Sequence, residues 1–555
     1  MRYVVKKQEN VLGACVLYDV NRNPVKCFPK EQGDVWVFET ELSRAVFYTQ
    51  FLVKGFGGTM IFADNGGEGY PPSDTPLDLR RACIKSRLCS VERYAAMAKK
   101  EWGYLPKRTT ERLTAVRRFL KTTGEDYKRE GAGGFSAAKA GDAGRASSVS
   151  RDTEADAGVG PGAQSSAAAE EAAFADLLWA GEELVLFHAN HTIERRGKRD
   201  HFTFGCCLKG FTDGGEPFRE NFKELFGQGT IPTHWGVFEP YRGETHYDVM
   251  FDMLDWCTEN GIAVRGHALV WFCPWWEHEN WMGTLSYEEI RRLEIERAEL
   301  IFGARPNAFE CIDFNEPLQQ NPYNFTMEEH FQIVKDVYDV VKRLSPKTRI
   351  MINFYDEWQN KYGMDVNRNE DFIAFKKQYK LPLSPPNEYC CSIPEFIDYC
   401  MEHGMQIDAL GLQFHDFPYE LFNTMELLTW WHERYHLPIQ LTEICTPSAM
   451  GKSPIRMGLR PSPANPNYWH APWDPQIQAQ WYRDFATLFY SLDYVEVMNV
   501  WSYSDAPTQW ADYLEGHINE KFKLGAFAFD GMMDFDDRPK PMYYQLKELK
   551  EKCEL

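Results

Sequence analysis

No apolar run in this chain reaches the ~18–20 residues a helix needs to cross a bilayer, so no membrane partner is expected. The opening Met1-Arg2-Tyr3-Val4-Val5-Lys6-Lys7 has no apolar leader core. Two compartments stay open: the cytoplasm, or the exterior for a chain whose leader has been removed. Positive charge is scarce, with 61 Lys and Arg against 81 Asp and Glu and a net charge of −20. Phosphate backbones would be repelled, which excludes nucleic acid as the expected partner. None of the 14 cysteines forms a C-x-x-C pair, and a chain this long needs no disulfide framework, so they read as free thiols. His267 and His415, the histidines at candidate strand ends, lack H-E-x-x-H or clustered-carboxylate spacing, and G-x-S-x-G is missing, which argues against zinc-hydrolase and serine-hydrolase readings there. Neither a metal nor a cofactor is called for.

Aromatic residues are plentiful, at 15% of the chain with 17 Trp. Indole rings fill cores, and they also make platforms for the C–H faces of sugars. With 555 residues the chain exceeds one ordinary core, and its composition shifts along its length. Residues 1–75 carry short β-rich runs at 12–18, 35–39, 46–53 and 59–62, separated by turn signals, and predict a small accessory sandwich, either carbohydrate-binding-like or structural. Residues 76–129 are helical in period, with Leu79, Cys83, Leu88, Val91, Tyr94 and Met97 on one face. Residues 130–169 are rich in Gly, Ala and Ser with few large apolar side chains, which predicts a flexible linker or disordered insertion. A helix over 170–199 then leads into residues 200–555.

That last stretch alternates strands with helical segments. Strands are expected at 202–207, 231–237, 263–269, 308–314, 349–354, 409–413, 439–443 and 495–501. Eight such repeats predict a (β/α)8 barrel of the TIM type, an α/β fold. An open doubly wound sheet would need a glycine-rich phosphate turn after its first strand, and Gly205-Cys206-Cys207-Leu208-Lys209-Gly210 is not one. Function in a barrel sits where strands end. The third ends at His267 with Trp271 beyond, the fourth at Asn315-Glu316, the fifth at Asn353 and the sixth at Gln413-Phe414-His415. The seventh ends at Glu443 and the eighth at Trp501. Two glutamates, two histidines, amides and tryptophans at one rim suit a glycosidase, which needs two carboxyl groups flanking the scissile bond.

The motifs His267-Ala268-Leu269-Val270-Trp271, Asn315-Glu316, Gln413-Phe414-His415, Leu441-Thr442-Glu443 and Trp501-Ser502-Tyr503-Ser504-Asp505 resemble glycoside hydrolase family 10, in that family's order. Glu239-Pro240-Tyr241-Arg242-Gly243 and Pro539-Lys540-Pro541-Met542-Tyr543 add to the likeness, which spans about residues 200–550 and nothing before. The family consists mostly of endo-β-1,4-xylanases that retain configuration. The resemblance implies a xylan-type polysaccharide or oligosaccharide as partner, Glu443 as nucleophile and Glu316 as acid/base. It further implies that His415 supports Glu443, that Asn315 contacts the sugar 2-OH, and that His267, Trp271, Asn353 and Gln413 line the subsite. Trp501 and Trp510 would supply its aromatic floor and wall. Retention requires the two carboxyl groups to stand about 5–5.5 Å apart.

One strand departs from the pattern. The family's second strand carries Glu-Asn-x-Met-Lys, whose polar groups hold sugar on the non-reducing side of the cut. Here Thr230-Ile231-Pro232-Thr233-His234-Trp235 stands there, with His234 in the lysine's place. Phe272 follows Trp271 where the family usually has His. The chemistry is expected to be kept and the substrate preference moved. The alternatives are a β-glycosidase of the same mechanism acting on another sugar, and a barrel that binds carbohydrate without cutting it.

Overall fold

The computed structural model describes residues 1–8, 15–123, 161–208, 210–211, 214–239, 241–272, 281–315, 323–354, 377, 380, 391–415, 420–449, 468–505 and 529–553. They fall into two compact units. The first comprises Met1–Arg22, Cys27–His188 and Tyr419–Glu426, and the second Asn23–Lys26, Ala189–Pro418 and Leu427–Leu555.

The first unit contains β1 (Arg2–Lys6), β2 (Val16–Tyr18), β3 (Lys30–Gln32), β4 (Val35–Glu39), β5 (Val46–Val53), β6 (Gly57–Ala63) and β7 (Ser73–Asp78). They make one sheet in the order β3-β4-β1-β7 and another in the order β2-β5-β6. Tyr3 of β1 meets Phe47 of β5 edge-on, with ring centroids 6.1 Å apart, so apolar faces of the two sheets touch. The strands at 35–39 and 46–53 stand where their alternation predicts. Strands β3 and β7 have no apolar signature because they are sheet edges, where one-sided burial imposes no pattern.

The helix Leu79–Trp102 follows. The Asp78 carboxylate accepts from the Arg81 amide at 3.2 Å at its start, and Gly103 ends it in the left-handed region at φ 83°. Within this unit the buried Arg87 guanidinium donates to Glu420 at 2.6 Å. A further helix spans Pro161–Arg196, so it takes in residues 161–169, which the composition reading assigns to the linker. Alanine-rich sequence without bulky side chains is poor core material but strong helix former, and propensity decides here. The rest of that linker, 130–160, lies outside the described residues.

The second unit holds β8 (Thr203–Cys207), β9 (Gln228–Pro232), β10 (Ala263–His267), β11 (Cys311–Asn315), β12 (Arg349–Phe354), β13 (Ala409–His415), β14 (Ile439–Cys445) and β15 (Val495–Val500). They pair in parallel in sequence order, and β15 closes on β8, giving the expected closed eight-stranded barrel. Helices supply the crossovers that parallel neighbours require. Three of them, Tyr287–Ala304, Met327–Leu344 and Ile393–Glu402, start at a capping box. Ser286, Thr326 and Ser392 each cap the amide of a glutamate three residues on, and that glutamate caps them in return.

One strand is displaced from its expected place. The strand expected at 231–237 is shifted towards the N-terminus: β9 is Gln228–Pro232, and Trp235–Phe238 forms a turn of helix. Proline offers no N–H to the ladder, so pairing stops at Pro232 despite the apolar residues beyond it. Gln228 and Gly229 are weak strand formers, yet all five residues of β9 are buried between neighbours, and tertiary context overrides propensity.

The barrel interior leaves room for no extra atom at Gly205, where a Cβ would run into the Asn499 carboxamide. Gly205→Ala is expected to destabilise the protein by about 1–3 kcal/mol. Gly303, inside a helix with nothing near its missing Cβ, serves as the contrast. Gly303→Ala should gain up to about 1 kcal/mol. Chemical denaturation of the two variants checks both signs.

Candidate active site

Strands of a barrel point alternate side chains inward, and charged residues on that inner face must satisfy one another because water does not reach them. Here they do so in a ring. Arg265 of β10 donates from Nη1 to Asp313 Oδ2 of β11, from Nε to Thr230 Oγ1 of β9 at 3.1 Å, and from Nη2 to the Thr442 carbonyl of β14 at 2.8 Å. Asn499 of β15 donates to the same Thr230 hydroxyl at 3.0 Å and the same carbonyl at 2.6 Å. Asn353 of β12 donates to Asp313 Oδ2 at 3.0 Å and accepts from Thr442 Oγ1 at 2.7 Å. Arg265, Asp313, Thr230, Thr442 and Asn499 escape the reading of strand ends because they lie inside the strands. A charged residue amid apolar neighbours, as in Cys311-Ile312-Asp313-Phe314, is the signal that could have found them.

Above this layer stands Glu443, buried near the end of β14. His267 Nε2 lies 3.3 Å from its Oε1, His415 Nε2 lies 3.1 Å from its Oε2, and Asn353 Nδ2 is 3.5 Å from Oε1. Burial pushes the Glu443 carboxyl up, but the charges of His267, His415 and Arg265 and the hydrogen bond from His415 outweigh it and hold the group below the ordinary carboxylate range. Glu443 is therefore an anion at neutral pH. His415 shares Nε2 between Glu443 and Gln413 Oε1, the latter at 3.0 Å, so Gln413 fixes the ring that faces the carboxylate. His267 is gripped from the other side, with Nδ1 2.7 Å from Asp313 Oδ2. Burial pushes the Asp313 carboxyl up to about 7, against the pull of Arg265.

Of the residues expected from sequence, the structure thus gathers His267, Asn353, Gln413, His415 and Glu443 into one hydrogen-bonded cluster. Trp501 joins it, its ring centroid 5.0 Å from that of His267 and 6.4 Å from that of His415, nearly perpendicular to both. His234 stacks edge-on against His267 at 5.0 Å and lies 5.0 Å from Trp271. Phe272 turns the other way, packing on Phe325 and the buried His330, whose imidazole burial pushes down to about 3. Asn315 ends β11, which aims the chain at the same rim. Glu316 and Trp510 lie outside the described residues, as do 273–280 and most of the segment after Glu443. Among the described residues, His267, Asp313 and Glu443 each offer a ligand atom within 4.8 Å of one another, a set able to hold a metal ion. The two ring nitrogens of His267 face different carboxylates, however, so the imidazole bridges the pair rather than converging with them on a shared point.

Residues 197–365 match the family model described as Glycosyl hydrolase family 10. That match runs from just before β8 to just past β12. Similar curated proteins include Endo-1,4-beta-xylanase 1 of Arabidopsis thaliana, 22% identical over 376 residues that make up 64% of this chain and 35% of that protein. Beta-1,4-xylanase of Dictyoglomus thermophilum is 21% identical over 227 residues, 39% of this chain and 55% of that one. The chain spans about a third of the length of the Arabidopsis relative it matches. Among solved structures, native xylanase 10B from Thermotoga maritima aligns with a TM-score of 0.44 at 15% identity, covering 64% of this chain and 96% of that one.

The Asp313 carboxyl gives the site a pH signature. Its folded-state value of about 7 lies above the roughly 3.9 of an unfolded aspartate, so between those values the folded chain holds a proton that the unfolded chain has lost. That contribution to stability is full below about pH 4 and is lost as pH rises towards 7. Asp313→Asn has no such proton. The wild-type Tm minus that of Asp313→Asn is expected to fall between about pH 4 and 7 and to level off above, measured by calorimetry across that range.

Proposed function

We propose that the chain is a retaining β-glycosidase that cleaves a β-1,4-linked, xylan-type saccharide by double displacement, with Glu443 as nucleophile and Glu316 as acid/base. The observation that carries this reading is the ionised Glu443 carboxylate at the end of a barrel strand, held between two imidazoles and a carboxamide. A nucleophile under the anomeric carbon must be charged and fixed in direction, and these three contacts supply both.

In the first displacement a Glu443 oxygen forms a bond to the anomeric carbon as the glycosidic C–O bond breaks, and Glu316 gives its proton to the departing oxygen. Formation of the glycosyl ester removes the negative charge of Glu443, so Glu316, then ionised, takes a proton from water as that water attacks the same carbon and frees Glu443. His267 and His415 stabilise the carboxylate as it leaves. Trp501 offers an aromatic floor beside them. The family match over 197–365 and the xylanase activity named for the relatives support xylan as the substrate class.

Product release from linear β-1,4-xylan, xylo-oligosaccharides and activated aryl β-glycosides tests the reading. Wild type is expected to release reducing sugar with retained configuration. Glu443→Ala should lower kcat by roughly 10⁴-fold or more, because a residue acting as nucleophile has no partial substitute. Full activity in that variant, or inverted product by NMR, would refute the assignment. Binding of oligosaccharide without cleavage by wild type would favour a barrel that only holds carbohydrate.

A further inference from the structure

Helix Tyr287–Ala304 follows β10 in the chain and buries Glu294 and Arg297, one turn apart on one face. Neither charge can stand unpaired there, and they satisfy each other: Arg297 Nε donates to Glu294 Oε2 at 3.0 Å and Nη2 to the same oxygen at 2.6 Å. The guanidinium also lies over the Trp235 ring, 5.6 Å from its centroid. Further donors reach two main-chain carbonyls, Nη1 that of Thr233 at 2.7 Å and Nη2 that of Leu269. Both carbonyls lie beyond Pro232 and His267, the last ladder pair of β9 and β10, where backbone groups must find partners outside the sheet.

The same two residues fix the chain that carries His267. The Thr233 amide donates to the His267 carbonyl at 2.6 Å, and the Leu269 amide donates to the Asp313 carbonyl at 2.8 Å. Thr233 is fully buried and its hydroxyl has no partner among the described residues, so its hydrogen bonds run through the backbone. His267 Nε2 stands 3.3 Å from Glu443 Oε1, at the outer edge of hydrogen-bond reach, so a small backbone shift breaks the contact. We infer that Arg297 is a positioning residue: by gripping the chain at Thr233 and Leu269, it sets the His267 ring against Glu443. The hold on His267 is independent of the glycosidase reading above, and its consequence for catalysis rests on that reading. Lysine is no substitute, because a single ammonium has no planar fork to span two carbonyls.

The test uses the full chain with Arg297→Lys, and with Arg297→Met combined with Glu294→Gln so that no buried charge is left alone. Hydrogen exchange followed by mass spectrometry is expected to run about tenfold faster in both over residues 229–235 and 265–271, while residues 409–415 and 439–445 keep the wild-type rate. On an activated aryl β-xyloside, Arg297→Lys should lower kcat/KM about tenfold in the wild-type background and less than about twofold in a His267→Ala background. A residue that acts through His267 has nothing left to position there, whereas one that only stabilises the fold costs the same in both. Exchange that is unchanged, or faster everywhere, overturns the inference and leaves the glycosidase reading intact. Equal kinetic losses in the two backgrounds also overturn it. Should the Met variant not fold, Arg297→Lys carries both measurements. No turnover of any aryl glycoside by wild type refutes the glycosidase reading, and the exchange pattern then decides the hold on His267.

Discussion

Everything at this site depends on one buried ion pair, Arg265 with Asp313. Taking two charges out of water is costly, and only excellent geometry with further hydrogen bonds recovers the loss. The barrel meets that demand by recruiting side chains or carbonyls from β9, β12, β14 and β15 around the pair, so the charge pair can be satisfied only when six strands stand in one register. A slip of one residue in any of them would turn its contribution to the helix layer and leave a buried donor or acceptor without a partner. The pair thus ties the fold to the site: the same Asp313 oxygen that answers Arg265 also faces the His267 ring and the Asn353 amide.

From that layer the chemistry is transmitted upward by rigid parts. Asn353 touches both Asp313 and Glu443, and His267 does the same with its two nitrogens. A carboxylate buried in this way would ordinarily take up a proton. Two imidazoles and a guanidinium beneath keep it charged, and the Gln413 carboxamide keeps one of those imidazoles aimed. The field at Glu443 is set before any substrate arrives, which is what preorganised stabilisation requires.

Strand ends were legible in the sequence because proline and polar residues interrupt apolar runs there; β12 occupies the residues its pattern predicts, and the Glu443, His415 and Asn353 positions follow from it and its neighbours. The polar layer was not legible, since a strand read by its apolar period treats Asp313 and Arg265 as interruptions, and only the closed barrel brings them within reach of each other. The β9 segment was misplaced for a related reason. Its strand is held by burial on all sides rather than by its own propensity; it ends at Pro232, which lacks an N–H, and Trp235–Phe238 beyond it winds into helix. Tryptophan count was an ambiguous guide: Trp235, Trp431 and Trp481 fill cores, and Trp501 and Trp271 stand at the site.

The strands divide the site between side chains bound by hydrogen bonds and side chains packed by ring contact. Glu443, His415, Gln413 and His267 come from β14, β13 and β10, and each is tied to the others or to the polar layer by hydrogen bonds, so substitution of one disturbs all. His234 meets the cluster by ring contact with His267 and Trp271, and its charge also bears on Asp313. It follows β9, whose own hydroxyl at Thr230 is committed to the layer below. The side chains around Glu443 are thus bound through hydrogen bonds to the Arg265–Asp313 pair, and His234 and Trp271 lean on them from the side. The high cost of an unpaired polar group in the interior holds the hydrogen-bonded set fixed.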